Sequence, residues 1–139
     1  MILMKGNRML LENRLEIISE MTYTEAYIIY MVAKDSKTGK HYQSEACGDL
    51  THFKIGVGRL ICMAKINTQF IKDIRKNELR PKQKVFQEIE KELIRAKVDE
   101  KAIRIIKKKR LESEKLLNEM HIKLKQNYEI LNSITRGDN

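Results

Sequence analysis

Two consecutive stretches decide the predicted fold: QSEACGDLTHFKIGVGRLICMAKI, residues 43–66, and NTQFIKDIRKNELRPKQKVFQEIE, residues 67–90. The first has the pattern of two short helices, about 44–50 and 53–66, joined by a turn. In the second, QFIKDIR and KVFQEI alternate in strand fashion on either side of the charged loop KNELRPKQ, and Pro81 suits such a loop. This order predicts a helix–turn–helix unit followed by a β-ribbon wing.

Positive charge is concentrated in the same part of the chain. Residues 54–84 contain nine Lys or Arg and two acids, a net charge of +7, whereas residues 1–53 sum to −1 and residues 85–139 to +3. A localised basic surface is the electrostatic footprint of a protein that binds nucleic-acid phosphates. The alternative interpretation is a solvated charged surface without a ligand. We favour DNA contact because the charge and the element order coincide.

The predicted second helix, residues 53–66, would enter the DNA major groove. Helical spacing places Lys54, Gly58 and Arg59 near its leading end. Arg59 is the first candidate for a base contact, because a guanidinium can bond O6 and N7 of guanine together. Lys54 and Lys65 are expected at phosphates. The full predicted DNA-binding set is Lys54, Gly58, Arg59, Lys65, Lys72, Arg75, Lys76, Arg80, Lys82 and Lys84.

Two glycines, Gly56 and Gly58, fall inside this predicted helix. Each costs about 1 kcal/mol relative to alanine in a helix interior. They indicate either that the helix approaches DNA closely or that the segment is not a helix. The string also resembles the start of a dinucleotide fingerprint, but it lacks the third glycine and a preceding strand.

The N-terminal part of the chain is predicted to be helical. Residues 9–21, MLLENRLEIISEM, place apolar side chains at helical spacing and predict an amphipathic helix. Thr22 and Glu25 have capping-box spacing, so a second helix is predicted from about residue 23 to the loop DSKTG. The alternative is a β-hairpin through residues 36–39, since AYIIYMV also has strand propensity.

Beyond Ile89 the chain is predicted to form two helices, about 87–97 and 99–134, separated by a break that Asp99 caps. The apolar stripe of the last helix is too long to be buried against so small a domain, so pairing with a second copy is predicted. The cluster Lys107–Arg110 is interpreted as a solvated helix face. The predicted dimer-interface residues are Leu11, Leu15, Ile18, Leu117, Met120, Leu124, Tyr128 and Leu131.

The predicted fold class is α+β, mainly α with a small β-hairpin, because six Gly and one Pro are too few for an all-β chain of 139 residues. The length predicts a single domain, 1–139. Within it we expect an N-terminal dimerisation helix at 1–21, a winged helix–turn–helix unit at 22–90 and C-terminal dimerisation helices at 91–139.

The run from Thr22 to Glu90 resembles the MarR/SarA-type winged-helix regulators. The segments that carry the resemblance are TYTEAYIIYMVA, SEACGDLTHFKIGVGRLICMAKI and FIKDIRKNELRPKQKVF, about half of the chain. In that family the wing carries an acidic residue close before an Arg, and Glu78-Leu79-Arg80 is similar to it with Glu as the acid. The resemblance implies a dimeric transcription regulator that binds double-stranded DNA through its helix–turn–helix unit and wing.

Other kinds of chemistry find little support in the sequence. His41, His52 and His121 have no ligand spacing, and Cys47 and Cys62 are too isolated for a structural zinc site or a disulfide framework. Both cysteines are expected to be buried packing residues. No nucleophile–base constellation or phosphate loop is present, so neither an enzyme nor a cofactor is expected. No apolar run approaches the roughly 20 residues that span a bilayer, and a cytoplasmic protein is expected.

Two functional hypotheses follow. The first is a homodimeric, sequence-specific regulator of transcription that binds duplex DNA. The second is a small adaptor or inhibitor, of a phage or mobile-element kind, that binds another protein through its long C-terminal helix. The net charge of +9 argues against a mimic of DNA, which would be acidic.

Overall fold

The computed structural model describes residues 11–48 and 55–135. Its class is α+β, with one three-stranded antiparallel sheet of order β1-β2-β3 and a larger helical part. The elements in chain order are β1 (Leu15–Tyr23), β2 (Ile28–Asp35), β3 (His41–Cys47), α1 (Ile55–Ile74), a π-helical turn (Arg75–Leu79), α2 (Arg80–Arg95) and α3 (Glu100–Thr135).

Strands β2 and β3 form the hairpin that the sequence offered only as an alternative. The helix predicted from residue 23 is therefore wrong, and so is the short helix predicted at 44–50, whose described residues lie mainly in β3. Burial in β2 has a period of two: Ile29, Met31 and Ala33 are buried and the residues between them are not. Apolar residues stand at almost every position here, so a helical stripe fits the sequence equally well.

The helix predicted at 9–21 is also wrong, because β1 occupies most of it as an edge strand. The strand pairs along its length with β2, from Leu15 opposite Asp35 to Tyr23 opposite Ile28. A bulge between Ile17 and Ser19 shifts the register. The hydrogen bonds of β1 come from pairing with β2, and the sequence of β1 alone does not reveal this pairing. Here the pairing overrides the helical propensity of the segment.

Helix α1 confirms the helix predicted at 53–66, over the described residues, and extends to Ile74. It packs on one face of the sheet. Ser44 donates a hydrogen bond from its hydroxyl to the carbonyl of Cys62, 2.9 Å away. A Cβ on Gly58 would lie 2.5 Å from Cδ1 of Ile29, so glycine is what lets the helix backbone approach β2. The close approach that we expected toward DNA is made toward the sheet.

The predicted wing does not form, because both of its strands are helical. The chain continues from α1 through the π-helical turn into α2, where Arg80 donates its backbone N–H to the carbonyl of Arg75. Pro81, expected in a loop, stands in the first turn of α2. A proline has no N–H to donate and its ring crowds the preceding turn, so a wider turn before it lets the helix continue.

Helices α2 and α3 confirm the two C-terminal helices predicted from the sequence. Helix α2 ends in a Schellman motif, in which Lys97 has a positive φ of 54° and the N–H of Val98 bonds the carbonyl of Leu93. Asp99 caps α3 as predicted, since its carboxylate accepts a hydrogen bond from the N–H of Lys101 at 3.3 Å.

The chain divides into two compact units. The sheet unit comprises the described residues 11–48, 55–70 and 124–135, and the helical unit comprises residues 71–123. The sheet unit holds most of the fully buried side chains, including Phe70, Ile29, Met31, Ile66 and Cys62. In the helical unit the buried apolar residues are Ile71, Ile74 and Leu79.

Candidate functional site

The described residues that were predicted to contact DNA from the helix at 53–66 are engaged within the sheet unit. Gly58 is buried against Ile29. Arg59 donates from Nε to the carboxylate of Glu20 on β1. Lys65 donates from Nζ to the backbone carbonyl of Glu45, 2.8 Å away. Lys54 lies outside the described residues. The face of α1 that we expected in a major groove is therefore held on the sheet.

The other predicted DNA-binding residues all lie on one helical path rather than on a wing. Lys72 is on α1, Arg75 and Lys76 are in the π-helical turn, and the remaining three are on α2. Lys82 lies with Nζ 6.0 Å from the ring centroid of Phe86. The structure brings three members of this set to one place: Arg75, Arg80 and Lys84 line a groove in the helical unit.

This groove has a volume of about 540 Å³, within the range of about 300–1,000 Å³ typical of small-molecule sites. One wall is the helical path from the π-helical turn into α2, and the other is α3. Eight residues line it, and none is an acid. They are Arg75, Arg80, Gln83, Lys84, Gln87, Leu117, Asn118 and His121. We call this set the basic groove.

The spacing of the basic groove follows from its helices. Along α2, Arg80, Lys84 and Gln87 are separated by four and three residues, so they share one face. The π-helical turn joins Arg75 to Arg80 by an i to i+5 hydrogen bond, which places the two guanidinium side chains one turn apart. In an uninterrupted α-helix, residues five apart would lie on different faces.

Elsewhere in the helical unit, several cations are paired with carboxylates. Arg110 binds Glu90 on α2 and Glu114 one turn along α3. Hydrogen bonding to Glu90, and then to Glu114, raises the pKa of Arg110. Arg95 pairs with Glu92 at 2.8 Å. These ion pairs neutralise cations outside the basic groove, whereas the lining of the groove contains no acid.

The cluster Lys107–Arg110 divides between two environments. Lys107, Lys108 and Lys109 are exposed, which agrees with the solvated helix face predicted for them. Arg110 departs from that prediction, since it is largely covered and pairs across to α2. This pairing joins α2 to α3 within the helical unit.

The residues predicted for a dimer interface fall into different structural settings. Leu15 is buried on β1 and Leu124 on α3, both within one chain. Leu117 lines the basic groove. Ile18 and Tyr128 are exposed, and Leu11, Met120 and Leu131 are half-buried. Because residues 11–21 form no helix, the expected N-terminal dimerisation helix is absent over the described part of that segment.

A second cluster of charged groups, at the β2–β3 turn, has a structural role. The carboxylate of Asp35 is 2% exposed and accepts hydrogen bonds from Arg14 Nη2 at 2.6 Å, from the N–H of Lys37 and from the hydroxyl of Thr38. The hydrogen bond from Arg14 is the main cause that holds the pKa of Asp35 well below its usual range. The hydrogen bonds from the turn and from Arg14 already occupy the oxygens of the Asp35 carboxylate. The cluster therefore leaves this carboxylate no open position for a ligand.

The outer face of the sheet offers aromatic side chains but also acids. Tyr23 and Tyr30 form an edge-to-face pair with ring centroids 6.1 Å apart. The hydroxyl of Tyr30 bonds Glu45, which raises the pKa of the tyrosine. Glu16 and Glu45 point to this same face, as their cross-strand partners show. Carboxylates repel phosphate, so this face is a poorer site for nucleic acid than the basic groove.

The cysteines and histidines hold no metal cluster among the residues that the structure describes. Cys62 is buried as predicted, and burial raises the pKa of its thiol. The prediction for Cys47 is wrong, because its side chain is exposed on β3. His121 proves to belong to the basic groove. Over residues 11–48 and 55–135, each helix is either too short or too polar to cross a membrane.

Sequence reasoning missed half of the basic groove: Gln83, Gln87, Asn118 and His121. For α2 the signal was present, because Gln83 and Gln87 lie four residues apart and flank Lys84, but the segment was interpreted as a strand. For α3 the sequence holds no signal of which residues face α2. Comparisons with protein-family models, with curated proteins and with solved structures found no match to this chain.

Proposed function

We propose that this protein binds double-stranded DNA through the cationic surface of its helical unit, by contacts to phosphates. The observation that carries the proposal is the distribution of charge. Residues 71–123 contain 17 Lys or Arg against 10 Asp or Glu, so this unit bears +7 of the total +9. Its basic groove places three cations together without an acid. Neutralisation of phosphates by such cations releases counterions, which drives binding that is independent of sequence.

The proposal moves the DNA contact from α1 to the helical unit. A winged-helix mode is not part of it, because the wing strands are helical and α1 packs on the sheet. Regulation of transcription, the role predicted from the sequence, would also require a surface that reads base edges. The proposal is limited to phosphate contacts, and it retains the homodimer as an expectation that light scattering can test.

Fluorescence anisotropy with a labelled duplex of random sequence tests this function. Three phosphate contacts give a slope of about −2.7 for log affinity against log salt, a loss of about 40-fold between 50 and 200 mM salt. We expect at least this slope for the full chain. An affinity that does not change over that range, or no binding at the lower salt concentration, would overturn the proposal.

A second candidate function, that of an adaptor, is supported by apolar side chains on the surface of the helical unit. Ile94 is 56% exposed and Val85 54% exposed on α2, and Ile105 and Leu111 on α3 are about half exposed. Exposed apolar side chains on a helix are the groups that a protein partner would cover in helix-mediated binding. Under this function, Val85→Asp abolishes capture of one stoichiometric protein partner in a pull-down, and the affinity for duplex DNA stays negligible in every variant.

A further inference from the structure

We propose that the basic groove is a phosphate-binding site in which Arg75, Arg80 and Lys84 hold one phosphate group. This inference rests on the proposed function and deepens it, because it assigns the phosphate contact to named residues. The shared chemistry is a tetrahedral phosphate. It can belong to the backbone of a nucleic acid or to a free phosphate ion, and the experiment below distinguishes the two.

The side chains that line the groove are rich in hydrogen-bond donors. Two guanidinium groups and one ammonium group stand with three side-chain amides and an imidazole, all able to donate hydrogen bonds. Within the described residues, the side chains of Arg80 and Lys84 have no ion pair. A site whose charged groups are all cations favours an anion. Arginine forks match phosphate oxygens in pairs, and lysine adds a point charge.

The side chain of Arg75 has a hydrogen-bond donor that is not satisfied within the described part of the protein. Its Nε is closed off from solvent and has no hydrogen-bond partner among the residues that the structure describes. Almost all shielded donors in proteins have an acceptor, so this one needs an explanation. Arg75 lines the groove, and a rotation of its guanidinium would bring the donor to the oxygens of an anion bound there.

The π-helical turn also supports a binding site in this groove. Single π turns inside α-helices are frequent at functional sites. Here the turn spans Arg75–Leu79 and sets Arg75 and Arg80 on the same wall of the groove. Asn77, within the turn, donates to Asp73 at 2.8 Å and so engages that carboxylate outside the groove. The distortion therefore places the two arginines on one wall, and Asp73 is not among the residues of the lining.

The experiment titrates inorganic phosphate into the full chain while following the Nε–Hε signals of the arginines by NMR. The groove variant is Arg80→Gln combined with Lys84→Gln. The control is Lys107→Gln combined with Lys108→Gln, an equal change of charge at two exposed positions of the same unit outside the basic groove. All three proteins are first shown to melt at the same temperature, since the substituted side chains are exposed.

We expect phosphate to shift the Arg75 Nε–Hε signal in the wild type and in the control. Because the groove variant loses two charged hydrogen-bond donors, it should weaken phosphate binding by at least about tenfold. No shift of the Arg75 signal, or equal weakening in the groove variant and the control, would overturn the proposal.

The same three proteins in the duplex titration identify the source of the phosphate. A loss of DNA affinity that is at least about tenfold larger in the groove variant than in the control supports a backbone phosphate at this site. Phosphate binding without DNA binding supports the groove and refutes the proposed function. DNA binding that both variants weaken equally, with no phosphate effect on Arg75, refutes the groove and leaves the proposed function standing.

Discussion

The sheet unit and the helical unit of this protein differ in what their side chains do. In the sheet unit, apolar residues such as Ile29 and Phe70 are fully buried and the charged residue Asp35 is satisfied internally. In the helical unit, large apolar residues such as Ile94 are exposed and the net charge is +7. The difference indicates that the sheet unit holds most of the buried core, and it fits the proposal that the helical unit carries the interaction surface.

The largest expected difference in the free energy of unfolding is between two isoleucine-to-alanine variants, one in each unit. Ile29→Ala removes a side chain with no exposed surface and should lower the free energy of unfolding by about 4 kcal/mol. Ile94→Ala, at a position 56% exposed, should change it by less than about 0.5 kcal/mol. Chemical denaturation measures both.

The probes for this experiment are already in the sequence. All five tyrosines (Tyr23, Tyr27, Tyr30, Tyr42 and Tyr128) belong to the sheet unit, and the chain has no tryptophan. Tyrosine fluorescence therefore follows the sheet unit, while far-ultraviolet circular dichroism is dominated by the helices. Equal destabilisation by the two alanine substitutions would break the proposed contrast between the units.

The next effect concerns the buried ion pair. Asp35→Asn leaves the Arg14 guanidinium without its carboxylate and should destabilise the protein by about 3 kcal/mol, the lower end for a buried pair because Arg14 is partly exposed. The exposed pair Arg95–Glu92 is the matched control, and Glu92→Gln should cost less than about 1 kcal/mol. Urea unfolding of the two variants compares them directly.

The dependence on pH gives a second readout for Asp35. Its pKa is lower in the folded protein than the value of about 3.9 of an unfolded chain. The stabilisation is therefore complete above about pH 4 and decreases as the pH falls further toward the folded pKa. The gap in stability between the wild type and Asp35→Asn should narrow below about pH 4. A gap that stays constant on acidification would contradict the role of the carboxylate.

The smallest expected change in stability comes from alanine substitutions of two glycines in α1. Gly58→Ala should destabilise the protein by about 1–2 kcal/mol, because the new Cβ meets the buried Cδ1 of Ile29. Gly56→Ala meets nothing within 4 Å and should stabilise by up to about 1 kcal/mol. Ile29→Val removes the atom that clashes, so the cost of Gly58→Ala should shrink in that background. An unchanged cost in the double variant would refute the close approach.

Local signals in the sequence predicted the C-terminal half of the fold better than the N-terminal half. The cap at Asp99 and the long stripe of α3 are local features, and the structure confirms both. The strand at 15–23 was missed because its hydrogen bonds depend on pairing with β2, which its own sequence does not display. The hairpin through the turn at 36–39 was present only as an alternative.

Only part of the basic groove could be predicted from the sequence. Its three cations were selected because positive charge coincided with the predicted wing, and the structure brings Arg75, Arg80 and Lys84 together. Their setting was wrong because Pro81 was interpreted as the mark of a loop. A proline in the first turn after a π-helical turn is compatible with a continuous helix, and a single sequence gives no direct sign of that turn.

The π-helical turn at Arg75–Leu79 amounts to one extra residue inserted into an α-helix. Every residue added to a helix turns the following side chains by about 100° around the axis. The π-helical turn absorbs this rotation, because it brings Arg80 back to the face of Arg75 after five residues instead of four. If the same five-residue spacing were kept in a regular α-helix, Arg80, Lys84 and Gln87 would lie on a different side of the helix from Arg75, with the same composition and charge. In this segment, natural variation would therefore have to preserve the spacing of the cations together with the turn.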